Sequence, residues 1–133
     1  MSEPRVIIRF DGNGRVYHPG EKLAGEYRLV SIEPQDVKAV EVSVLWHTHG
    51  KGDEDLAVHD FRRLSAEDGD WIGPRQFGRF STTLPNSPLS YEGAIVKLRW
   101  CVRVRLFLAR DKEVVGELPF RLGGVPAAKV QAP

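Results

Sequence analysis

The sequence predicts an all-β fold built from antiparallel sheets packed face to face, and three observations predict it. Apolar and polar side chains alternate with a two-residue period through two long stretches, helical periodicity is nearly absent, and turn-forming residues punctuate the chain between about seven candidate strands. The longest alternating stretch covers residues 94–108. Its even positions Val96, Leu98, Trp100, Val102, Val104 and Leu106 are apolar, whereas Lys97, Arg99, Arg103 and Arg105 take the opposite face. A helix through the same residues would scatter the four cations around its circumference and expose Trp100. Residues 38–46 repeat the signature, with Val40, Val42, Val44 and Trp46 on one side and Glu41 and Ser43 on the other. Two long strands with matching apolar faces imply one shared core holding Trp46 and Trp100.

Shorter strands are expected at residues 5–10, 21–30, 56–64, 76–84 and 112–120, each bounded by glycine, proline, asparagine or aspartate. The turns between them include Asp11-Gly12-Asn13-Gly14, His49-Gly50-Lys51-Gly52-Asp53, Glu67-Asp68-Gly69-Asp70 and Leu84-Pro85-Asn86-Ser87-Pro88. Seven half-apolar strands fit a two-sheet sandwich, and the pattern by itself leaves a closed barrel open. With 133 residues the chain suits one domain, expected over residues 1–122, and residues 123–133 read as a flexible C-terminal tail.

Nineteen lysines and arginines against eighteen acidic residues leave a net charge of +1, which argues against nucleic acid as a partner. The single cysteine, Cys101, forms no internal disulfide, the first residues contain no apolar signal segment, and no stretch is apolar enough to span a membrane as a helix. A cytoplasmic protein without a transmembrane segment is the resulting expectation.

Two segments resemble the arrestin superfamily. Val16-Tyr17-His18-Pro19-Gly20-Glu21-Lys22-Leu23-Ala24-Gly25-Glu26-Tyr27-Arg28-Leu29 is similar to the proline-glycine turn, short gap and second glycine that open an early strand of arrestin domains. Phe80 to Leu84, then Pro85, then Leu89-Ser90-Tyr91-Glu92-Gly93 and the long strand to Leu108 resemble the phenylalanine-rich strand, leucine-proline turn, serine-tyrosine-glycine stretch and long strand of that family. The order and spacing agree over most of residues 16–120. The resemblance implies an immunoglobulin-like β-sandwich of the arrestin-lobe type and adaptor or scaffold work. Familiar arrestins carry two such lobes where this chain has room for one, and their phosphate-sensing residues have no match here.

Several side chains are candidates for chemistry. His47 and His49 fall on one strand face, and a hairpin centred near Asp53 would place His59 opposite His47, giving three imidazoles for zinc. The plainer reading is a solvent-facing hairpin whose tip, with Lys51 and Asp53, is a contact surface. Lys97, Arg99, Arg103 and Arg105 form a cationic stripe. It reads either as an anion-binding face or as a ladder neutralised by neighbours such as Glu41 and Glu117. Cys101 shares the side of the arginines, whose field would favour its thiolate, yet no histidine lies near it in sequence to act as a base. Trp71 sits in a turn where it would meet solvent or a partner.

No cofactor is implied. The expected function is a non-catalytic protein–protein interaction module, adaptor or scaffold, that meets its partner through loop tips or an open strand edge. The candidate partner-binding residues are Lys97, Arg99, Arg103, Arg105, Lys51, Asp53 and Trp71, and self-association as a homodimer through strand edges is part of the same expectation. The alternatives are a small zinc-binding protein or metal-dependent enzyme using His47, His49 and His59, and a structural subunit of a larger particle.

Overall fold

The structure, a computed structural model, describes residues 3–12, 14–50, 54–65 and 77–123. Among the described residues nine strands form in order: β1 (Arg5–Phe10), β2 (Val16–Tyr17), β3 (Lys22–Val30), β4 (Val37–Gly50), β5 (Leu56–Ser65), β6 (Phe77–Thr83), β7 (Tyr91–Glu92), β8 (Val96–Leu108) and β9 (Lys112–Leu122). One sheet has the order β1-β3-β6. The other has the order β2-β9-β8-β4-β5, with β7 also paired to β8. The seven expected strands are all present. The two extra ones, β2 and β7, are two residues long, too short for a periodic pattern to reveal them. Pairing is antiparallel except at β2, which runs parallel to β9 through Val16 opposite Arg121 and Tyr17 opposite Leu122.

The alternation predicts the inward face of β8 well. Trp100, Val102, Val104, Leu106 and Leu108 are buried and meet Val40, Val42 and Val44 of β4, together with Ile8, Phe10, Leu23, Tyr27 and Leu29 of the smaller sheet. Trp46 lies directly opposite Trp100 in the β4–β8 pairing and packs against the core from its edge. Aromatic rings concentrate where the sheets meet: Phe10, Tyr17 and Phe120 touch pairwise edge-to-face at 5.7 to 5.9 Å, and Phe120 continues to Trp100 at 5.8 Å. The indole Nε1 of Trp100 donates to the Pro88 carbonyl at 2.8 Å. β4 runs four residues beyond its expected end, because His47 to Gly50 pair with Val96 to Arg99 of β8.

The outward face of β4 departs from a simple polar surface. Ala39, Ser43 and Leu45 are buried there, as is Cys101 of β8. The pairing explains why: Val58, Leu45, Cys101 and Pro119 lie in one row across four strands, so Leu45 is flanked by side chains of its own kind. Alternation in a single strand cannot reveal a row that runs perpendicular to it.

The turn glycines have specific tasks. The proline-glycine turn at residues 18–21 is closed by the Glu21 amide on the His18 carbonyl at 3.0 Å. It is clasped to the leucine-proline turn by the Gly20 amide on the Leu84 carbonyl and the Leu84 amide on the Glu21 carbonyl, at 3.0 and 2.9 Å. Gly20 sits at φ +84°, a left-handed conformation that favours glycine. Gly25, in the middle of β3, is required by proximity instead: a Cβ there would overlap the Arg9 carbonyl oxygen and stand 2.8 Å from the Phe80 ring. Gly25→Ala is therefore expected to destabilise the domain by about 1–3 kcal/mol through overpacking, read as a lower urea midpoint with an unchanged denaturant slope.

Candidate functional site

On the outer face of the larger sheet three of the four predicted cations, Arg99, Arg103 and Arg105, meet a carboxylate partner. Arg103 lies opposite Glu117 of β9 and donates to it at 2.5 Å. Arg105 reaches diagonally to Glu113 at 2.5 Å, and the hydrogen bond raises the pKa of the guanidinium further. Arg99 donates to Glu92 of β7 at 3.3 Å, and Glu41 is taken by Arg63 of β5 at 2.6 Å. Lys97 has no ion pair among the described residues, although Glu92 faces it in the β7–β8 register. The stripe is thus a ladder of cross-strand pairs over most of its length. Glu117 was legible as a neutralising neighbour. Glu113 and Glu92 were not, since their contacts depend on the diagonal reach of arginine and on a two-residue strand.

The histidines do not converge. His47 faces Leu56 of β5: the register pairs Val44 with Asp60 and, after a one-residue slip at a bulge, Leu45 with Val58, so His59 falls in the bulge and opposes no β4 residue. The His59 ring turns to the rim between the sheets, meeting Trp100 edge-on at 6.1 Å and donating through Nε2 to the Thr83 carbonyl of β6 at 2.8 Å. His49 is exposed and pairs with Glu54 at 3.2 Å, while Nδ1 of His47 is buried with no hydrogen-bond partner among the described residues. The expected three-imidazole arrangement is therefore not formed, and among the described residues no group of three His, Cys, Asp or Glu side chains comes together as a ligand set. Lys51, Asp53 and Trp71 lie outside the described residues.

Cys101 also departs from expectation. Burial dominates over the field of Arg103 and, helped by the nearby Glu117 carboxylate, pushes the thiol up to about 11. The thiol is neutral and shielded, the opposite of an activated nucleophile.

Two other features of this face were not anticipated. The first is apolar. Leu56, Val58 and Phe61 on the outer side of β5 are 55%, 49% and 53% exposed, along a strand that stands at the edge of the sheet among the described residues. The second is a recess of about 320 Å3 beside β8, lined by Arg15, Val16, Glu92, Leu98, Arg99, Pro119 and Arg121 among others.

No protein-family model matches the chain, and no curated protein matches it in sequence. Solved structures do. The sporulation control protein Spo0M of Bacillus subtilis superposes with a TM-score of 0.65 at 16% identity, over 94% of this chain and 51% of that one. The fold is arrestin-like. This arrestin-like sandwich spans about half the length of the Spo0M chain. A more distant likeness is to the superoxide reductase neelaredoxin of Ignicoccus hospitalis, with a TM-score of 0.52 at 7% identity, over 90% of this chain and 80% of that one. At such identities the likeness is one of architecture and transfers no residue roles. No described helix is long and apolar enough to cross a membrane.

The Cys101 environment has a measurable consequence. A disulfide reagent at pH 8 is expected to label the folded protein far more slowly than the denatured one, which checks the buried, neutral thiol. Because the folded pKa is raised above the unfolded one, the stabilisation tied to this proton is complete below the unfolded value near 9. It is lost as pH rises towards 11.

Proposed function

We propose that this arrestin-like domain is a non-catalytic interaction module that holds a protein partner against the outer face and edge of β5. One observation carries the reading: Leu56, Val58 and Phe61, three large apolar side chains each about half exposed, stand in line on an edge strand. Water is a poor neighbour for such a row, and burying it against a partner would gain about 25 cal/mol for each Å2 removed from solvent. The row is continuous with buried Leu45 and bordered by the Arg63–Glu41 pair, giving an apolar centre with a polar rim. The outer backbone edge of β5, which no strand covers among the described residues, can also accept an added strand.

The absence of an activated nucleophile at Cys101 and the dispersal of the histidines remove the residues on which an enzymatic reading rested. A reducing cytoplasm suits a lone thiol and belongs to the same proposal. The edge of β5 is equally open to a second copy of this chain, so the test separates the two occupants.

A photoreactive phenylalanine analogue at position 61, expressed in the native cell, is expected to yield one discrete cross-linked species. The same analogue at Ile7, half-exposed on the opposite sheet, should yield none. Val58→Asp should abolish the product. The mass of the product distinguishes a foreign protein from a dimer of the chain, and a folded protein giving no product above the Ile7 control overturns the reading.

A further inference from the structure

Strand β8 is flanked on one side by β4 along its whole length, but its other side is shared by two strands set end to end. β9 pairs with Trp100 to Leu108 and β7 with Lys97 and Leu98, so Arg99 has no partner residue on that side. β9 peels away at this point: Arg121 pairs with Val16 of β2, and the Leu122 amide and carbonyl are taken by the Ser90 hydroxyl and amide, each at 2.8 Å. The divergence of these chains opens the recess of about 320 Å3.

Three arginines line it, Arg15, Arg99 and Arg121, against one acidic residue, Glu92, which leaves two positive charges among the lining residues. Arg99 is engaged by Glu92, held ionised by the hydrogen bond it accepts, with a further contribution from the charge of Arg121. Arg15 and Arg121 have no ion pair among the described residues. This sets them apart from Arg103 and Arg105 on the same sheet, each matched to its own glutamate. The apolar part of the lining is supplied by Val16, Leu98, Pro119 and Phe120.

We infer that this recess is a binding site for an acidic peptide segment of a partner protein, its Asp or Glu carboxylate between Arg15 and Arg121 and an adjacent aliphatic side chain on Val16, Leu98 and Pro119. Guanidinium groups donate in a planar fork that fits a carboxylate, and the Glu92–Arg99 contact already shows that pairing within the chain. A phosphate dianion is the poorer match, because Glu92 stands in the same recess and repels a second negative charge. The site does not depend on docking at β5, from which it is separated by β4 and β8.

Acetylated and amidated pentapeptides alternating leucine with glutamate or aspartate supply the probe, titrated at low salt and followed by the side-chain Nε–Hε resonances of the arginines. The expected result is selective displacement of the Arg15 and Arg121 signals. A paired Arg15→Gln and Arg121→Gln variant, or peptides with glutamine for glutamate, should weaken binding roughly tenfold or more, since each lost charge-assisted hydrogen bond removes a tenfold-scale contribution. The Val58→Asp variant should bind the peptides unchanged, which separates this site from the β5 reading. Binding that survives the arginine pair, binding that ignores loss of the carboxylate, inorganic phosphate occupying the same signals more tightly, or no peptide binding at millimolar concentration each overturns the assignment.

Discussion

The position of Trp100 is the constraint around which the rest of the domain is arranged. Its indole is fully buried at the centre of β8, so its N–H must find an acceptor away from water, and it finds one in the Pro88 carbonyl. That single bond fixes the loop after β6 against the larger sheet. On its other sides the ring touches Phe120 and the edge of His59. It therefore ties together β8, β9, β5 and the loop before β7. Through the Thr83 carbonyl, His59 then bridges the larger sheet to β6 of the smaller one. A smaller residue would leave a cavity in contact with all of these at once.

The outer face of the larger sheet follows a different logic. Charges there are arranged in pairs across strands, and exposed pairs of this kind contribute little to stability, of the order of 0.2–1 kcal/mol each. Their effect is on pattern. They neutralise most of the cationic stripe and leave two unlike regions on one surface: the apolar row along β5 and the arginine-lined recess beside β7 and β9. The guanidiniums of Arg63 and Arg105 both stand 5.4 Å over the Phe107 ring, so even the charged part of this face rests on an aromatic support.

Much of the architecture was legible in the sequence because β8 and the central part of β4 alternate so regularly. The long strands, their inward residues and the turns around Gly20 and Pro85 follow from that periodicity and from turn chemistry. The arrestin-like order of motifs also has a physical basis here, since the two resembling segments are hydrogen-bonded to one another at Gly20 and Leu84. What was not legible depends on register. The β4–β5 register sets His47 opposite Leu56 and leaves His59 in a bulge, a row across four strands buries Leu45 and Cys101 on a face expected to be wet, and the gap opposite Arg99 exists only because two strands stop short of each other. None of these leaves a mark in the pattern of one strand. The thiol was misread for a related reason: proximity to arginines in sequence suggested activation, whereas desolvation within the fold prevails.

The pairing of charges also bears on how quickly anything can find this domain. Towards β5, where the neighbouring cations Arg63, Arg103 and Arg105 are each answered by a glutamate, the face projects little field beyond the Debye length of roughly 8–10 Å in physiological salt. Encounters at β5 are then left to diffusion and orientation, in the unsteered range of about 10^5–10^6 M-1 s-1. Selectivity there arises after contact, in residence time rather than in attraction from afar.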